Sequence, residues 1–509
     1  MENPAFNLVR QILRSPLFLA QSTLQQQVTL DEILKTGEIT RQEVFTLINE
    51  AMASSQQLEK KSKLLTESKI LAANLEKLDY NTFLTLVISG NIRGEKLLAL
   101  CSGSDKLNGY CNRSFQLLNN QGLRVGEAED QYLFRVLLDR AKISVSFGKT
   151  PRKTYIDKMV GGRVLGFGGN GGGELGLGNK VYQIKVPTLV PGLNNIVQTS
   201  CGLSYSLCLN NEGRVWAFGL DNYGQLGLGS VRKQSTPTLI VPLQNIIQVC
   251  AGEYHSLCLD NQGRVWSFGY NSNFGQLGLG DLIDRNIPTL IPNFRNIVQV
   301  STGSHHSICL DNQGRVWSFG LNGRGQLGLG DLNDRNVPTL VPNLNNIVQI
   351  SARERYNLCL DNQGKVWGFG SNSSGELGLG DSQDRNLPNL NLTLNNIVQV
   401  EAGGDYSLCL DNQGRVWGFG SGGYGKLNSS NIEPRLNPVL IPNVENIIQV
   451  ATGSTYSLCL NNQGQVLGFG YNQFGQLGYD HGNPLVNPNL HNIIQISAGT
   501  AHTLCITGQ

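Results

Sequence analysis

The chain has 509 residues, of which 61 are glycine, and 40% of its residues are hydrophobic, which permits a packed interior. Its 40 basic and 38 acidic side chains leave a formal charge of +2, which excludes a whole-protein attraction to nucleic acid or acidic membranes. No apolar run approaches the roughly 18 residues of a membrane span, Pro16 interrupts a helix near the start, and the apolar run Leu17–Ala20 is too short for a signal sequence. We therefore expect neither a membrane span nor a classical secretory signal.

Residues 1–150 are predicted to form a small helical docking domain. Thr40 and Glu43 make a capping box that opens a long segment with helical spacing. Shorter apolar clusters follow, among them Leu97–Cys101 and Tyr132–Leu138. This succession of leucine-rich, cysteine-containing and aromatic–leucine helices resembles F-box-like modules, which implies a ubiquitin-ligase component as a partner. The alternative is a helical dimerisation or docking domain of another kind.

After a predicted linker at residues 151–160, the remainder, residues 161–509, consists of seven copies of one repeat. A Phe-Gly dipeptide recurs at intervals of 50 or 51 residues, at Phe167, Phe218, Phe268, Phe319, Phe369, Phe419 and Phe469. An Asn-Ile-(Val or Ile)-Gln motif recurs with it, with its first isoleucine at Ile196, Ile246, Ile297, Ile347, Ile397, Ile447 and Ile493. Self-similarity at such a period indicates a solenoid or a propeller.

Four short strands are predicted in each repeat, and the copy that begins at Asn296 serves as the example. Asn296–Ser301 and Ser307–Leu310 are the first and second strands, and an Asp-Asn-Gln-Gly hairpin leads to the third, Arg315–Gly320. Pro338–Pro342 suits an outer fourth strand, where proline costs no ladder bond. Four antiparallel strands in about 50 residues are typical of a propeller blade.

The segment Gly303–Pro342, which contains GSHHSICLDNQGRVWSFG, resembles the repeat of the regulator-of-chromosome-condensation family, and the resemblance extends over Gly161–Gly508. It implies a seven-bladed β-propeller. It also implies two activities found in the family, guanine-nucleotide exchange on a small Ras-like GTPase and chromatin binding.

The two ends of the repeat region predict how the ring closes. The region begins with an isolated third strand, Arg163–Gly168, and ends with a first and a second strand in Asn492–Ile506. Pairing Val164–Phe167 with Thr503–Ile506 completes one blade and leaves no open sheet edge. The predicted fold is therefore an all-β seven-bladed propeller with ring closure between its N- and C-terminal strands, preceded by a small all-α domain.

Motifs that would carry chemistry are better explained by the repeat. Gly166–Gly171 satisfies GxGxxG, but no βαβ unit surrounds it and the glycines recur in other copies. Three histidines occupy a position that tyrosine fills elsewhere, and the Asp-x-x-Asp-Arg-Asn runs lack calcium-ligand spacing; these are His255, His306, His502 and the runs at Asp281, Asp331 and Asp381. We expect no catalytic residue, no cofactor and no metal site.

The chain has 11 cysteines, and seven of them share one second-strand position: Cys208, Cys258, Cys309, Cys359, Cys409, Cys459 and Cys505. Equivalent positions in successive blades are packing sites and not disulfide partners. We therefore expect buried free thiols and a reducing compartment, the cytoplasm or the nucleus.

Antiparallel strands divide the connections between two faces of the ring. The loops after the first and third strands share one face, here called the loop face, and the nearly invariant Asp-Asn-Gln-Gly hairpins share the other, the hairpin face. The loop face varies between copies, and Arg353 replaces a glycine that the other six copies keep. The predicted partner-binding residues are Glu253, Tyr254, His305, Arg353, Glu354, Arg355 and Asp405. The alternative is neutral drift on a solvated loop.

These observations predict a monomeric, non-enzymatic protein–protein interaction scaffold, with the helical domain docking a second partner. The alternatives are a GTPase exchange factor and a chromatin-binding protein. Exchange-active members of the family insert an irregular segment of one blade into the GTPase, and intervals of 50 and 51 residues leave no room for one. The basic tail that helps family members hold DNA is also missing, which argues against nucleic acid as a partner.

Overall fold

A computed structural model describes residues 161–178, 181–479 and 486–508. Within them, 27 strands form seven antiparallel sheets, and strands are numbered along the chain. First strands are β3 (Ile196–Cys201), β7 (Ile246–Ala251), β11 (Ile297–Thr302), β15 (Ile347–Arg353), β19 (Ile397–Ala402), β23 (Ile447–Thr452) and β26 (Ile493–Ala498). Second strands are β4 (Tyr205–Asn210), β8 (His255–Asp260), β12 (His306–Asp311), β16 (Tyr356–Asp361), β20 (Tyr406–Asp411), β24 (Tyr456–Asn461) and β27 (His502–Thr507).

The remaining strands complete the blades from the inside outward. Third strands are β1 (Arg163–Gly169), β5 (Val215–Gly219), β9 (Val265–Gly269), β13 (Val316–Gly320), β17 (Val366–Gly370), β21 (Val416–Gly420) and β25 (Val466–Gly470). Fourth strands are β2 (Gln183–Leu189), β6 (Gln234–Leu239), β10 (Arg285–Leu290), β14 (Arg335–Leu340), β18 (Arg385–Leu390) and β22 (Arg435–Leu440). Blades 1 to 6 begin at β3, β7, β11, β15, β19 and β23, and blade 7 combines β26, β27, β1 and β2.

The predicted ring closure is confirmed. In blade 7, β1 pairs antiparallel with β27, and Val164 lies opposite Ile506 while Phe167 lies opposite Thr503. The seven-bladed all-β propeller is therefore confirmed as well. The predicted helical domain at residues 1–150 and the linker at 151–160 lie outside the described residues.

One detail of the blades differs from the sequence prediction. The fourth strand of blade 3 begins at Arg335, not at Pro338, because Arg335 pairs with Gly320 and the proline falls within a register shift where no ladder bond is lost. In blade 6 the described residues form three strands and a bridge between Leu467 and Val486, and residues 480–485 lie outside the described ranges.

The apolar core lies between neighbouring blades and explains the repeated Phe-Gly dipeptide. Phe319 is fully buried, and Gly320 has a φ of 106° that favours glycine. A side chain at Gly320 would also come within 2.5 Å of the His305 carbonyl oxygen. The seven repeated cysteines are buried and are not in disulfides, which confirms their packing role.

A closed ring of glutamine side chains joins the first strands of all seven blades. Each glutamine donates from Nε2 to a carbonyl of the next first strand and accepts at Oε1 from the N–H of that residue, over 2.6–3.2 Å. The members are Gln198, Gln248, Gln299, Gln349, Gln399, Gln449 and Gln495. An amide side chain thus takes the place of a backbone partner where no strand can be added.

A second ring runs through the first residues of the second strands, Tyr205, His255, His306, Tyr356, Tyr406, Tyr456 and His502. Each bonds a Ser, Asn or Thr side chain of the next blade; His502 Nε2, for example, lies 2.9 Å from Ser206 Oγ. Ser206 donates its proton to the Glu174 carbonyl, so the imidazole Nε2 is the donor to Ser206. Nδ1 of all three histidines is buried without a partner among the described residues. The predicted structural role of these histidines is confirmed.

We predict that the substitution Gln349→Ala lowers the free energy of unfolding by about 2–4 kcal/mol, because it leaves both backbone groups of Val400 without partners. Urea denaturation measures the loss. The matched control is Gln363→Ala, in an exposed hairpin, which should leave stability unchanged. Equal stability of the two variants would contradict the role assigned to the ring.

We also predict that stability falls as the pH drops below 6.5. Burial lowers the pKa of His255 and His502 to about 3 and that of His306 to about 4, whereas unfolded histidine titrates near 6.5. Between these values the unfolded chain binds more protons, so each histidine reduces the free energy of unfolding by up to about 1.4 kcal/mol per pH unit. Denaturation from neutral pH to about pH 4 should show a shallower slope for His255→Tyr and a steeper one for Tyr205→His. Parallel curves for all three proteins would show that the buried imidazoles do not cause the acid sensitivity.

Candidate functional site

The two faces of the ring are arranged as the strand directions predict. The Leu321 N–H, just after β13, donates to the His305 carbonyl over 2.8 Å, so the loops after the first and third strands touch. On the opposite side, the hairpin residue Asn312 donates to the carbonyl of Asn296 over 2.9 Å. The predicted partner-binding residues therefore share the loop face.

The first strands surround a central channel with a cavity of about 130 Å³, and Arg353 crosses its loop-face mouth. Arg353 is at the end of β15 in blade 4. Its Nη1 donates to the carbonyl of Thr452 in blade 6 over 3.0 Å and to that of Ala498 in blade 7 over 3.1 Å. One guanidinium thereby ties three blades together across the mouth.

These hydrogen bonds give Arg353 a structural role that its replacement of a glycine did not reveal. An arginine in place of a loop glycine would be strained at a positive φ, but the positive φ of this loop, 47°, belongs to Glu354. The half-buried guanidinium of Arg353 is engaged with backbone carbonyls, whereas Arg355 is exposed. Direct partner contact by Arg353 stays a prediction, and Arg355 is the arginine more accessible to a partner.

Glu253 and Glu354 face each other beside this mouth, with Ser304 between them. Ser304 donates from Oγ to Glu354 Oε2 over 3.2 Å and from its N–H to the Glu354 carbonyl over 3.0 Å. Burial and the neighbouring Glu354 carboxylate raise the pKa of Glu253 to about 7, against smaller opposing effects of Ser304 and Arg353. Glu253 therefore changes its protonation state near neutral pH.

Tyr254 and His305 belong to a group of ring side chains, the first aromatic cluster, formed by Tyr223, Tyr254, Tyr270, Phe274 and His305. The Tyr254 and His305 ring centroids are 5.3 Å apart, and those of Tyr223 and Tyr270 are 4.8 Å apart. Tyr223 is 37% exposed. Burial and the charge of Arg355 lower the pKa of His305, so the imidazole is neutral at physiological pH.

Asp405 follows β19 in blade 5, outside the first aromatic cluster. Asp405 pairs with Lys426, whose buried ammonium lies 5.2 Å from the Tyr406 ring centroid. Tyr424, Tyr471 and Phe474 form the second aromatic cluster, with Tyr424 64% exposed. The Asp405 carboxylate is therefore already paired with a buried ammonium group.

The structure brings six of the seven predicted residues into one region, at the ends of the first strands of blades 2 to 4 and in the loops that follow them: Glu253, Tyr254, His305, Arg353, Glu354 and Arg355. Sequence reasoning missed Tyr223, Tyr270 and Phe274. These three residues lie in the loops after the third strands, where aromatic residues appear in some copies and Leu, Ser or Arg in others. The seven residues were predicted from the loops after the first strands alone, so this variation was not used.

The remaining loop motifs of the described residues are structural. Asp281 bonds Arg285 over 2.6 Å, and Asp284 accepts the N–H of Asn271 over 2.7 Å, so these carboxylates order their own loop. In the described ranges, no group of three or more His, Cys, Asp or Glu side chains is placed to hold a metal ion. The same residues include no helix long and apolar enough to cross a membrane.

Comparisons with known proteins agree with this geometry. A family model described as the RCC1-like domain matches residues 154–406 and, in an overlapping match, 273–509. Human HERC4, named a probable E3 ubiquitin-protein ligase, is 33% identical over 146 residues, which are 28% of this chain and 14% of that protein. The regulator of chromosome condensation of Mus musculus is 27% identical over 163 residues, 31% of this chain and 39% of that protein. The chain thus matches a minor part of either relative.

A solved structure shows the same fold. Prp20p of Saccharomyces cerevisiae superimposes with a TM-score of 0.60 at 24% identity, covering 71% of this chain and 95% of that one. Prp20p is described as having binding properties to Gsp1p and histones.

We predict that Arg353→Ala lowers the free energy of unfolding by about 1–2 kcal/mol, because two charge-assisted hydrogen bonds across the channel are lost while the freed carbonyls can still be hydrated. Urea denaturation provides the measurement. Arg355→Ala, two residues away and exposed, is the control and should be neutral. If both variants were as stable as the parent protein, the bonds across the mouth would not stabilise the ring.

Proposed function

Because this chain belongs to the RCC1-like domain family, we propose that its propeller is a protein–protein interaction module that binds another protein through the loop face. The observation that carries this proposal is the concentration of aromatic side chains in loop-face loops. Tyr223, Tyr424 and Phe474 are 37%, 64% and 43% exposed. Aromatic side chains and arginine are enriched in interface cores and hot spots.

The contrast between the faces supports the same proposal. The hairpins repeat Asp-Asn-Gln-Gly, or close variants of it, and their first side chain caps the turn, as Asp311 does for the N–H groups of Gln313 and Arg315 over 2.9 and 3.0 Å. Arg315 also pairs with Asp311 over 2.7 Å. A face whose polar groups bond within each hairpin has less to offer a specific partner than one whose loops differ.

A GTPase exchange factor is the second candidate, and the family resemblance favours it. Prp20p, which shares the fold, is reported to bind Gsp1p and histones. Against it, the third-to-fourth connections of the six four-stranded blades run from 13 residues (170–182) to 15 residues (270–284), and none is long enough for an inserted wedge. Nucleotide release from a fluorescently loaded small GTPase of the same organism would distinguish this candidate.

We predict that the double substitution Tyr254→Ala with Arg355→Ala weakens partner binding by about tenfold or more, since it removes an aromatic side chain and an exposed arginine from the loop face. Partners captured by the tagged full chain from an extract of its own organism are quantified by mass spectrometry, and crosslinks locate the contact. The control is Asn312→Ala with Gln313→Ala on the hairpin face, which should retain binding.

Both double variants should have the same melting temperature as the parent protein. If the hairpin-face variant lost the captured proteins and the loop-face variant kept them, the proposed binding face would be wrong.

A further inference from the structure

We propose that the first aromatic cluster and the facing carboxyl groups of Glu253 and Glu354 form a subsite for one basic side chain, arginine or lysine, of the bound protein. This rests on the proposed function, since it assumes that a protein occupies the loop face. It adds the chemistry of the contact at blades 2 to 4.

The two carboxyl groups are brought together by loops of different blades. Glu253 follows β7 in blade 2, Ser304 follows β11 in blade 3, and Glu354 follows β15 in blade 4. Ser304 holds Glu354 by its hydroxyl and its N–H. Two like charges held in a half-buried position repel each other unless a proton or a cation lies between them. The pair is therefore complementary to a positive charge.

The rings beside the pair provide the second half of the subsite. Tyr254 follows Glu253 directly, and its hydroxyl has a raised pKa because of burial, then Glu253, Tyr223 and Glu354, so both carboxylates lie close to this ring. Tyr254, Tyr270 and His305 are half-buried, with centroids 5.3–6.4 Å apart. A guanidinium or ammonium group stacks favourably on such rings, while its alkyl stem covers apolar ring surface.

Among the described residues, the basic groups of the neighbouring loops are bound elsewhere or exposed. Arg353 Nη1 bonds the carbonyls of Thr452 and Ala498 on the far side of the mouth. Arg324 pairs with Asp384 over 3.1 Å. Arg355 is exposed and acts on His305, whose pKa it lowers together with burial.

Binding of a cation at the carboxyl pair is linked to pH. The titratable and charged groups that face Glu253 are Glu354, Arg353 and Tyr254, with His305 and Arg355 next to them. The pKa of Tyr254 is raised and that of His305 is lowered from its usual value of 6.5, so Tyr254 is protonated and His305 is neutral at pH about 7 to 8. Glu253, with its pKa raised to about 7, is the group that changes charge around neutral pH. The ionised pair is the cation-binding form, so affinity rises with pH over this range.

The test uses peptides as probes. A phage-displayed library of short random peptides is selected on the full chain at pH about 8 and counter-selected on Tyr254→Ala, and enriched peptides are synthesised with each basic residue replaced in turn by norleucine. Affinities are measured by fluorescence polarisation at pH about 6 and about 8. We expect one arginine or lysine whose replacement weakens binding about tenfold or more, and an affinity about tenfold higher at the upper pH, which is the change in the ionised fraction of a group with a pKa near 7.

The variant Glu253→Gln should bind with an affinity that no longer depends on pH, and Gln313→Ala on the hairpin face should behave like the parent protein. Enriched peptides without a basic residue, a pH-independent affinity of the parent protein, or no enrichment over Tyr254→Ala would each overturn the subsite. Loop-face-dependent capture of a protein partner would survive any of these results, so the two proposals fail separately.

Discussion

The glutamine ring around the channel is the constraint on which the propeller depends. A first strand at the axis has no room for another strand beside it, yet its N–H and C=O groups are buried and need partners. One amide side chain per blade supplies both a donor and an acceptor to the next blade. Gln495 of blade 7 bonds Thr199 of blade 1 and so closes the ring. Because every member bonds the next, the spacing of the blades is set at the axis and the loops can vary without disturbing it.

This rigid frame positions the loop-face residues that differ between the blades. Arg353 does not loosen its loop but ties blade 4 to blades 6 and 7, and this places Glu354 and Arg355 at a defined position beside the mouth. The carboxyl pair and the first aromatic cluster are then assembled from loops of different blades. A binding surface built in this way is preorganised, because each side chain is positioned by a scaffold that does not need to move.

The sequence was sufficient to predict the structural features that repeat in each blade, and insufficient to predict the contacts that cross the ring. The period of Phe-Gly and the incomplete strand sets at both ends predicted the blades and the pairing of Val164 with Ile506. The bonds of Arg353 to Thr452 and Ala498 join residues about 100 and 145 positions away, which no local pattern reveals.

The outer strands differ from the inner strands in burial and in their bonds to other blades. The fourth strands are mostly half-buried or exposed, whereas the second strands are buried, and both rings that join the blades run through the first and second strands. Cooperativity therefore resides near the axis, and the periphery is joined to it one strand at a time. Backbone amide hydrogens should follow this radial order, with the slowest exchange in the first and second strands and the fastest at the rim. The propeller can thus lose or remodel rim segments during evolution while the axis that positions the binding loops stays intact.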